Sequence, residues 1–304
     1  MPSRRFGRSL GIDLLPYKTC SLDCIFCQLG RTTQKTLGRK EYVPTGEVIS
    51  ELDDWLTLDG KADYITLSGS GEPTLHSKFG EVIKFLRSRT SIPVLLLTNG
   101  TLLYRPEVRK AASLATVVKV SLGAWNDDSF RKLNRPCQNL HFSQLLEGEN
   151  KFRSEFKGKL FLEVFLVDKV NSAVADVSKI AKLAQGIQPD RVQLNTAVRP
   201  PAEGFVVPLT KEKMQKLARL FKTPVEIIAE FSSTMASDIK ANEKTIFAML
   251  RRRPCTMEQV ADVFSMHINE VSKYIGKLLR TGKIQAENRA GKVYYFSGGM
   301  SKKE

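Results

Sequence analysis

A chain of 304 residues with a net charge of +15, 42% hydrophobic and 26% charged, has room for one large core or for a large domain joined to a small one. Its longest apolar runs, Pro93–Leu97 and Leu160–Val167, are far too short to span a membrane, and the basic start MPSRRFGRSLGID lacks the apolar stretch of a secretion signal. Five cysteines, three of them crowded together, argue against a disulfide framework and for a reducing, cytoplasmic setting.

Along the chain, Ser9–Leu14 is a predicted strand that runs into the cysteine-rich stretch YKTCSLDCIFCQLG. Thr45 is expected to cap a helix whose Val48, Ile49, Leu52 and Trp55 recur at helical spacing. DYITLSG predicts a strand, followed by a Gly-rich turn and a helix near Lys78–Ser88. VLLLTNG is a strand ended by Asn-Gly, and TVVKVSLG is the next. His141–Phe152 reads as a helix, LFLEVFLV as a strand, Ala173–Ala184 as a helix and RVQLN as a strand. Thr210 starts a further helix, and VEIIA is a last strand. Such βα steps with nearly continuous apolar strands are the signature of a parallel sheet covered by helices. About six strands are too few for a closed eight-stranded barrel. The expected fold is therefore α/β, a partial, open parallel β/α barrel over residues 1–230.

Residues 231–241, FSSTMASDIKA, are small and polar and read as a linker. Beyond it, Ile246–Leu250 is a helical stretch, and Thr256 is expected to cap a second helix through Phe264. Ile268, Val271, Ile275, Leu278 and Leu279 mark the apolar face of a third. Gly282 ends that helix, and Ile284–Ala286 and Val293–Phe296 form a hairpin around Ala290–Gly291. Residues 242–300 are thus predicted to be a winged helix-turn-helix domain. Residues 240–304 carry 13 Lys/Arg against 6 Asp/Glu, which points to a polyanion nearby. Lys273, Lys277 and Arg280 on the second helix of the motif, Arg289 and Lys292 on the wing, and Arg251–Arg253 beside them are candidate phosphate contacts. A structural lid or a protein-docking role is the alternative.

Cys20, Cys24 and Cys27 stand three and two residues apart. Tetrahedral zinc wants four protein ligands, and Cys137 and Cys255 are distant and unpaired with any second motif. Three thiolates on one loop suit instead a [4Fe–4S] cluster with one iron left open. A zinc knuckle that recruits Cys137 or a histidine is the competing reading.

This spacing, in a loop after the first strand, resembles the radical S-adenosylmethionine (SAM) superfamily. The resemblance implies that the open iron chelates SAM, and that reductive cleavage yields methionine and a 5′-deoxyadenosyl radical that abstracts hydrogen from a substrate. SGSGEP resembles the family's Gly-Gly-Glu motif, so Gly69, Ser70, Gly71 and Glu72 are candidates to line the methionine part of SAM. The glycines would let ligand approach the backbone; Glu72 would accept from the SAM ammonium or fix the loop. Phe26 matches the family's aromatic near the adenine. By their place at strand ends, Asn99, Ser121 and Asn195 are further SAM candidates, each equally able to cap its own loop. Glu163 interrupts an apolar strand, either facing the barrel interior or paired with a base such as Lys119. Arg4, Arg5 and Arg8, with Asn134 and Arg135 in LNRP, are candidates for substrate contact, as are His76 and Cys137 more weakly. No residue is assigned a catalytic role.

Within the superfamily, SRRFGRSLGIDLLPYKTC, YVPTGEV and SGSGEPTLH resemble the group of tRNA wyosine-base synthases. Two departures stand out: residues 1–19 hold no second cysteine set, and a winged helix stands in place of a flavodoxin-like extension. The resemblance implies a radical SAM enzyme, expected to be monomeric, fed electrons by a flavodoxin or ferredoxin, with an RNA base as substrate. A protein or peptide substrate, including glycyl-radical activation, and a non-enzymatic Fe–S-dependent DNA regulator are the alternatives.

Overall fold

The computed structural model describes residues 2–3, 7–58, 60–228, 242–264, 266–289 and 291–297. Arg4, Arg5, the expected linker 231–241 and Ala290 of the wing turn lie outside the described residues.

Two short strands and one long one open the chain: β1 (Pro2–Ser3), β2 (Gly7–Ile12) and β3 (Thr19–Cys20). There follow β4 (Gln34–Lys35), α1 (Thr45–Thr57), β5 (Tyr64–Leu67), α2 (Phe79–Arg89), β6 (Val94–Leu97), α3 (Pro106–Ala112) and β7 (Val117–Ser121). Next come α4 (Asp127–Asn134), α5 (Phe142–Glu155), β8 (Lys159–Leu166), α6 (Val174–Ile187), β9 (Arg191–Thr196), α7 (Lys211–Ala218) and β10 (Val225–Ile227). The large sheet has the order β1-β2-β5-β6-β7-β8-β9-β10. Every neighbouring pair is parallel except β1 with β2. Strand order follows chain order, so each crossover adds the next strand at the same edge and the sheet curls into an open half-barrel flanked by helices. The parallel set numbers seven rather than about six, because Val225–Ile227 pairs with β9 as a full member.

Alternation along the strands divides the sheet into two chemistries. One face carries Ile65, Leu67, Val94, Leu96, Val118, Val120, Leu160 and Leu162, all buried against helices whose inner faces include Val82, Ile83 and Leu86 of α2. Each such side chain contributes about 1.5–3 kcal/mol by leaving water. On the concave face, the register aligns Thr66 with Leu95, Leu95 with Val117, and Lys119 with Phe161. Leu95 and Val117, packed with Tyr64, Leu97 and Phe161, plug that interior near the strand starts. Polar residues follow two positions on: Thr66, Lys119 and Glu163. The interior is therefore apolar at its floor and polar toward the C-terminal ends of the strands.

Thr45 is the first helical residue rather than the cap; Pro44 occupies the cap position and the Thr45 amide donates to Glu41 Oε1 at 2.7 Å. Thr210 does cap α7, accepting from Lys213 N. The short helices α3 and α4 were not expected; α4 is closed by an Asn126–Ser129 capping box.

The C-terminal region packs α8 (Glu243–Arg252), α9 (Met257–Phe264) and α10 (Ile268–Arg280) against the hairpin β11 (Ile284–Arg289) and β12 (Lys292–Ser297). Ile246, Met249, Val260, Val263, Val271, Ile275, Leu278 and Tyr295 form its own core. Ile268 and Leu279 are each 36% exposed and lie off the buried face of α10. Backbone bonds between Cys255 and Tyr295 in both directions, at 3.0 and 2.8 Å, tie the turn after α8 to the wing. No helix among the described residues is long and apolar enough to cross a membrane.

Candidate active site

A cavity of about 1040 Å³ lies over the C-terminal ends of the parallel strands, where crossover loops converge. Cys20, Cys24 and Cys27 all line it, as do Phe26, the Gly69–Glu72 turn, Asn99, Ser121 and Asn195. The fold thus brings together, from the ends of β2, β5, β6, β7 and β9, the three cysteines and the residues expected to border SAM.

The cysteine loop is held from behind. Its Asp23 and Ile25 amides donate to Asn134 O at 2.9 Å and Leu133 O at 3.1 Å, so the loop caps the open carbonyls at the end of α4. Arg135 ends that helix at a left-handed φ of 46°. Its guanidinium reaches Glu203 at 2.5 Å, and Glu203 also accepts from Arg31 at 2.9 Å. Asp23, largely buried, takes Arg31 Nε at 2.9 Å and the Thr32 amide at 2.7 Å. Asn134 donates to Cys24 Sγ at 3.2 Å. Asn134, which also lines the cavity, and Arg135 therefore hold the cysteine loop in place.

In front, the loop meets the glycine turn backbone to backbone. Lys18 N donates to Ser70 O at 2.6 Å and Glu72 N to Thr19 O at 3.1 Å. A Cβ at Gly71 would lie 1.7 Å from Thr19 O. One at Gly69, where φ is 128°, would lie 2.4 Å from the Asp13 carboxyl carbon. The glycines are required by this close approach of two protein segments, whatever ligand lies nearby. Asp13, at the end of β2, accepts from the Ser70 amide at 3.0 Å and from the Ser70 hydroxyl.

Of the two roles open to Glu72, the geometry supports fixing the loop. The carboxylate is 2% exposed. Oε1 accepts from Thr74 N at 3.1 Å, Thr74 Oγ1 at 2.6 Å and Thr98 Oγ1 at 2.6 Å, and Oε2 accepts from Asn99 N at 2.7 Å. Burial pushes this carboxyl up from its ordinary value, while the bonds from Asn99, Thr74 and Thr98 pull it back. Asn99 continues the chain of struts: Nδ2 donates to Ser21 Oγ at 2.9 Å and reaches Cys20 Sγ at 3.6 Å, while Oδ1 accepts from Thr101.

Below the rim, Glu163 answers both readings made of it: it faces the interior and it is paired. Lys119 Nζ is 2.5 Å from Oε2, and Asn195 Nδ2 donates to Oε1 at 3.0 Å. Asn195 Oδ1 accepts from the Thr196 amide at 3.0 Å. Phe26 stacks on Phe165 with ring centres 4.0 Å apart.

Several expected contacts fall elsewhere. Arg8 sits at the start of β2, the opposite end of a parallel sheet, and pairs with Asp63. His76 is fully buried and bonded to Val43 O at 2.8 Å. Cys137 packs in the main core. On the C-terminal region, Lys277 is 2.6 Å from Glu243, and Arg289 holds Glu287 at 2.7 Å and donates to Pro201 O at 3.5 Å. Arg251–Arg253 line the cavity. Asp13, Lys18, Phe165 and Arg199 were missed. Period-two spacing from Ser9 and Gly11, and from Glu163, marks Asp13 and Phe165 as members of the concave face.

Among the described residues, no three His, Cys, Asp or Glu side chains are gathered as ligands of a single ion. A cluster asks something different, one thiolate for each of several irons, and three soft sulfurs on one cavity wall fit that donor set. Lys18 Nζ lies 3.2 Å from Cys27 Sγ. Burial pushes the Cys20 thiol up to about 12 and Cys24 upward too, so iron must displace protons to bind there.

Comparison with known proteins supplies the context. The family model described as the Radical SAM superfamily matches residues 14–182. A curated protein of Brachyspira hyodysenteriae, named GTPase Obg, is 36% identical over 96% of this chain; the chain covers 44% of that protein, less than half its length. A protein of Methanocaldococcus jannaschii named UPF0026 protein MJ1312 is 29% identical over 97% of this chain and 94% of its own. Among solved structures, a radical SAM methyltransferase from Sphaerobacter thermophilus shares the fold with a TM-score of 0.55 at 17% identity, over 71% of this chain and 65% of that one.

Proposed function

The chain belongs to the radical SAM superfamily, and from that premise we propose that Cys20, Cys24 and Cys27 hold a [4Fe–4S] cluster and that the enzyme abstracts hydrogen from an RNA base. Membership makes it an enzyme of SAM-radical chemistry and implies use of SAM and an iron–sulfur cluster; the ligating residues, the substrate and the division into 1–230 and 242–300 belong to the proposal. The observation that carries it is a single cavity shared by the three cysteines, the glycine turn and the strand ends. Held by Cys20, Cys24 and Cys27, the cluster would supply the electron for reductive cleavage of SAM.

The protein's own residues have distinct tasks in this reading. Gly69–Gly71 and Phe26 border the SAM space, with Ser121 and Asn195 farther along the strand ends. Glu72 and Asn99 keep that space in shape by locking the β5 and β6 ends to the cysteine loop. Lys119 and Glu163, in the polar layer above the apolar floor, give the substrate space a charged, hydrogen-bonding surface. An external one-electron donor of the flavodoxin or ferredoxin kind completes the scheme. The narrower likeness to tRNA wyosine-base synthases rests on the phrases SRRFGRSLGIDLLPYKTC, YVPTGEV and SGSGEPTLH.

The test is 5′-deoxyadenosine formation from SAM by anaerobically reconstituted, reduced protein, with and without bulk tRNA. Product that rises with tRNA is expected. Product indifferent to tRNA and to every other RNA would overturn the substrate; no product in any condition, with cluster and SAM bound, would overturn the chemistry.

A further inference from the structure

One wall of the cavity comes from the C-terminal region. Arg251 and Arg252, in the last turn of α8, and Arg253, its cap, line it together with Arg199 from the segment after β9. The wing is fastened to the same segment through Arg289 and Pro201 O. Arg199 in turn donates to Gln28 Oε1 of the cysteine loop at 3.0 Å. The end of α8, rather than the helix expected to read a nucleic acid, is what faces the chemistry.

The charge of this wall is not balanced by the rest of the lining. Its carboxylates are those of Asp13, Glu72 and Glu163. Glu72 is filled by four donors, Glu163 by Lys119 and Asn195, and Asp13 by the Ser70 turn. Nε and Nη2 of Arg253 are buried with no hydrogen-bond partner among the described residues. Arg251 is exposed and lies 6.0 Å over the Phe247 ring. Buried donors of a cation without acceptors are costly, and guanidinium forks match phosphate oxygens in geometry and sign. The volume of about 1040 Å³ is at the upper end for one small ligand, so it holds room beside SAM.

Resting on the reading of an RNA substrate, we propose that Arg251 and Arg253 bind a phosphate of the substrate nucleotide at the α8 end of the cavity. The base then extends toward the cysteine loop. The C-terminal region acts as part of the active site, a phosphate-holding wall, instead of a separate reader docked at a distance.

The test is equilibrium binding of bulk tRNA, and of the four nucleoside 5′-monophosphates against their nucleosides, to the full chain over a range of salt. The variants are Arg251→Ala, Arg253→Lys and, as comparator, Lys273→Ala on α10. Arg251→Ala is expected to weaken binding about tenfold, the loss of one charge-assisted contact. It should also flatten the log–log salt slope by about 0.7, the value for one single-stranded phosphate. Arg253→Lys keeps the charge and loses the fork, so it should weaken binding several-fold with the slope kept, and Lys273→Ala should change little. Monophosphates preferred over nucleosides would assign the phosphate to a free nucleotide; tRNA bound without them would assign it to the RNA chain. Affinity and slope unchanged in both arginine variants, with wild type binding tRNA, would overturn this proposal alone. Wild type that binds neither tRNA nor monophosphates would remove the RNA reading beneath it.

Discussion

Replacing Glu72 with alanine should unfold the junction between two strand ends. The side chain accepts four hydrogen bonds, three at Oε1 and one at Oε2, in a site 2% exposed. Removing it strands the amides of Thr74 and Asn99 and two hydroxyls in a buried space. Such bonds to a charged acceptor are worth about 1.5–3 kcal/mol each and do not add. The neighbours relax in part, so a loss of about 3–5 kcal/mol is expected, the range for removing one member of a buried polar pair. At roughly 2–4 °C per kcal/mol, melting should fall by about 10 °C. Glu72→Gln keeps the shape, leaves its oxygen with the three donors and turns an amide nitrogen toward the Asn99 N–H. It should cost about 1.5–3 kcal/mol, between wild type and alanine. Circular-dichroism melts and SAM affinity, measured together on anaerobically reconstituted protein, check both. Alanine melting within about 2 °C of wild type while SAM binding vanishes would refute the strut and make Glu72 a ligand.

Gly71→Ala should be more disruptive than its size suggests, because the new methyl would overlap Thr19 O at 1.7 Å. We expect a loss of about 1–3 kcal/mol or more and reduced iron retention, and normal iron with a normal melt would contradict the packing. Glu149 on α5 is fully buried, and its two oxygens have no hydrogen-bond partner among the described residues. Burial raises this carboxyl well above its ordinary value near 4.5. With the folded value raised, the protonated group suits the fold below the unfolded value, and stability declines as pH climbs toward the folded value. Glu149→Gln should therefore gain stability over wild type at pH 8 and lose that advantage at pH 4.5, read by paired melts; an equal difference at both would contradict it.

The strands were legible because the helix-facing side of the sheet is almost entirely apolar, and runs such as VLLL and LFLEVFL stand out. The cysteine triad was legible because its members are contiguous in the chain. Glu72 drew notice through its glycine turn, yet its role depends on Thr98 and Asn99, 26 and 27 residues away. Helices α3 and α4 are of 7 and 8 residues, too short for apolar spacing to recur convincingly. Arg251–Arg253 were visible as a charge run, but which side of a small domain meets its neighbour is set by docking, and local pattern carries no record of it. Arg8 was misplaced for a related reason: proximity to the cysteines along the chain hides the length of β2 between them.

The central claim is that three cysteines hold the cluster in this cavity, and iron and sulfide per chain test it most directly. Anaerobic reconstitution of wild type should give about 4 of each, as a [4Fe–4S] centre requires. Cys20→Ala, Cys24→Ala and Cys27→Ala should each lose most of it, while Cys137→Ala and Cys255→Ala, both in cores, should retain it. Full iron and sulfide in any of the first three, or loss in either of the last two with folding intact, would contradict the account.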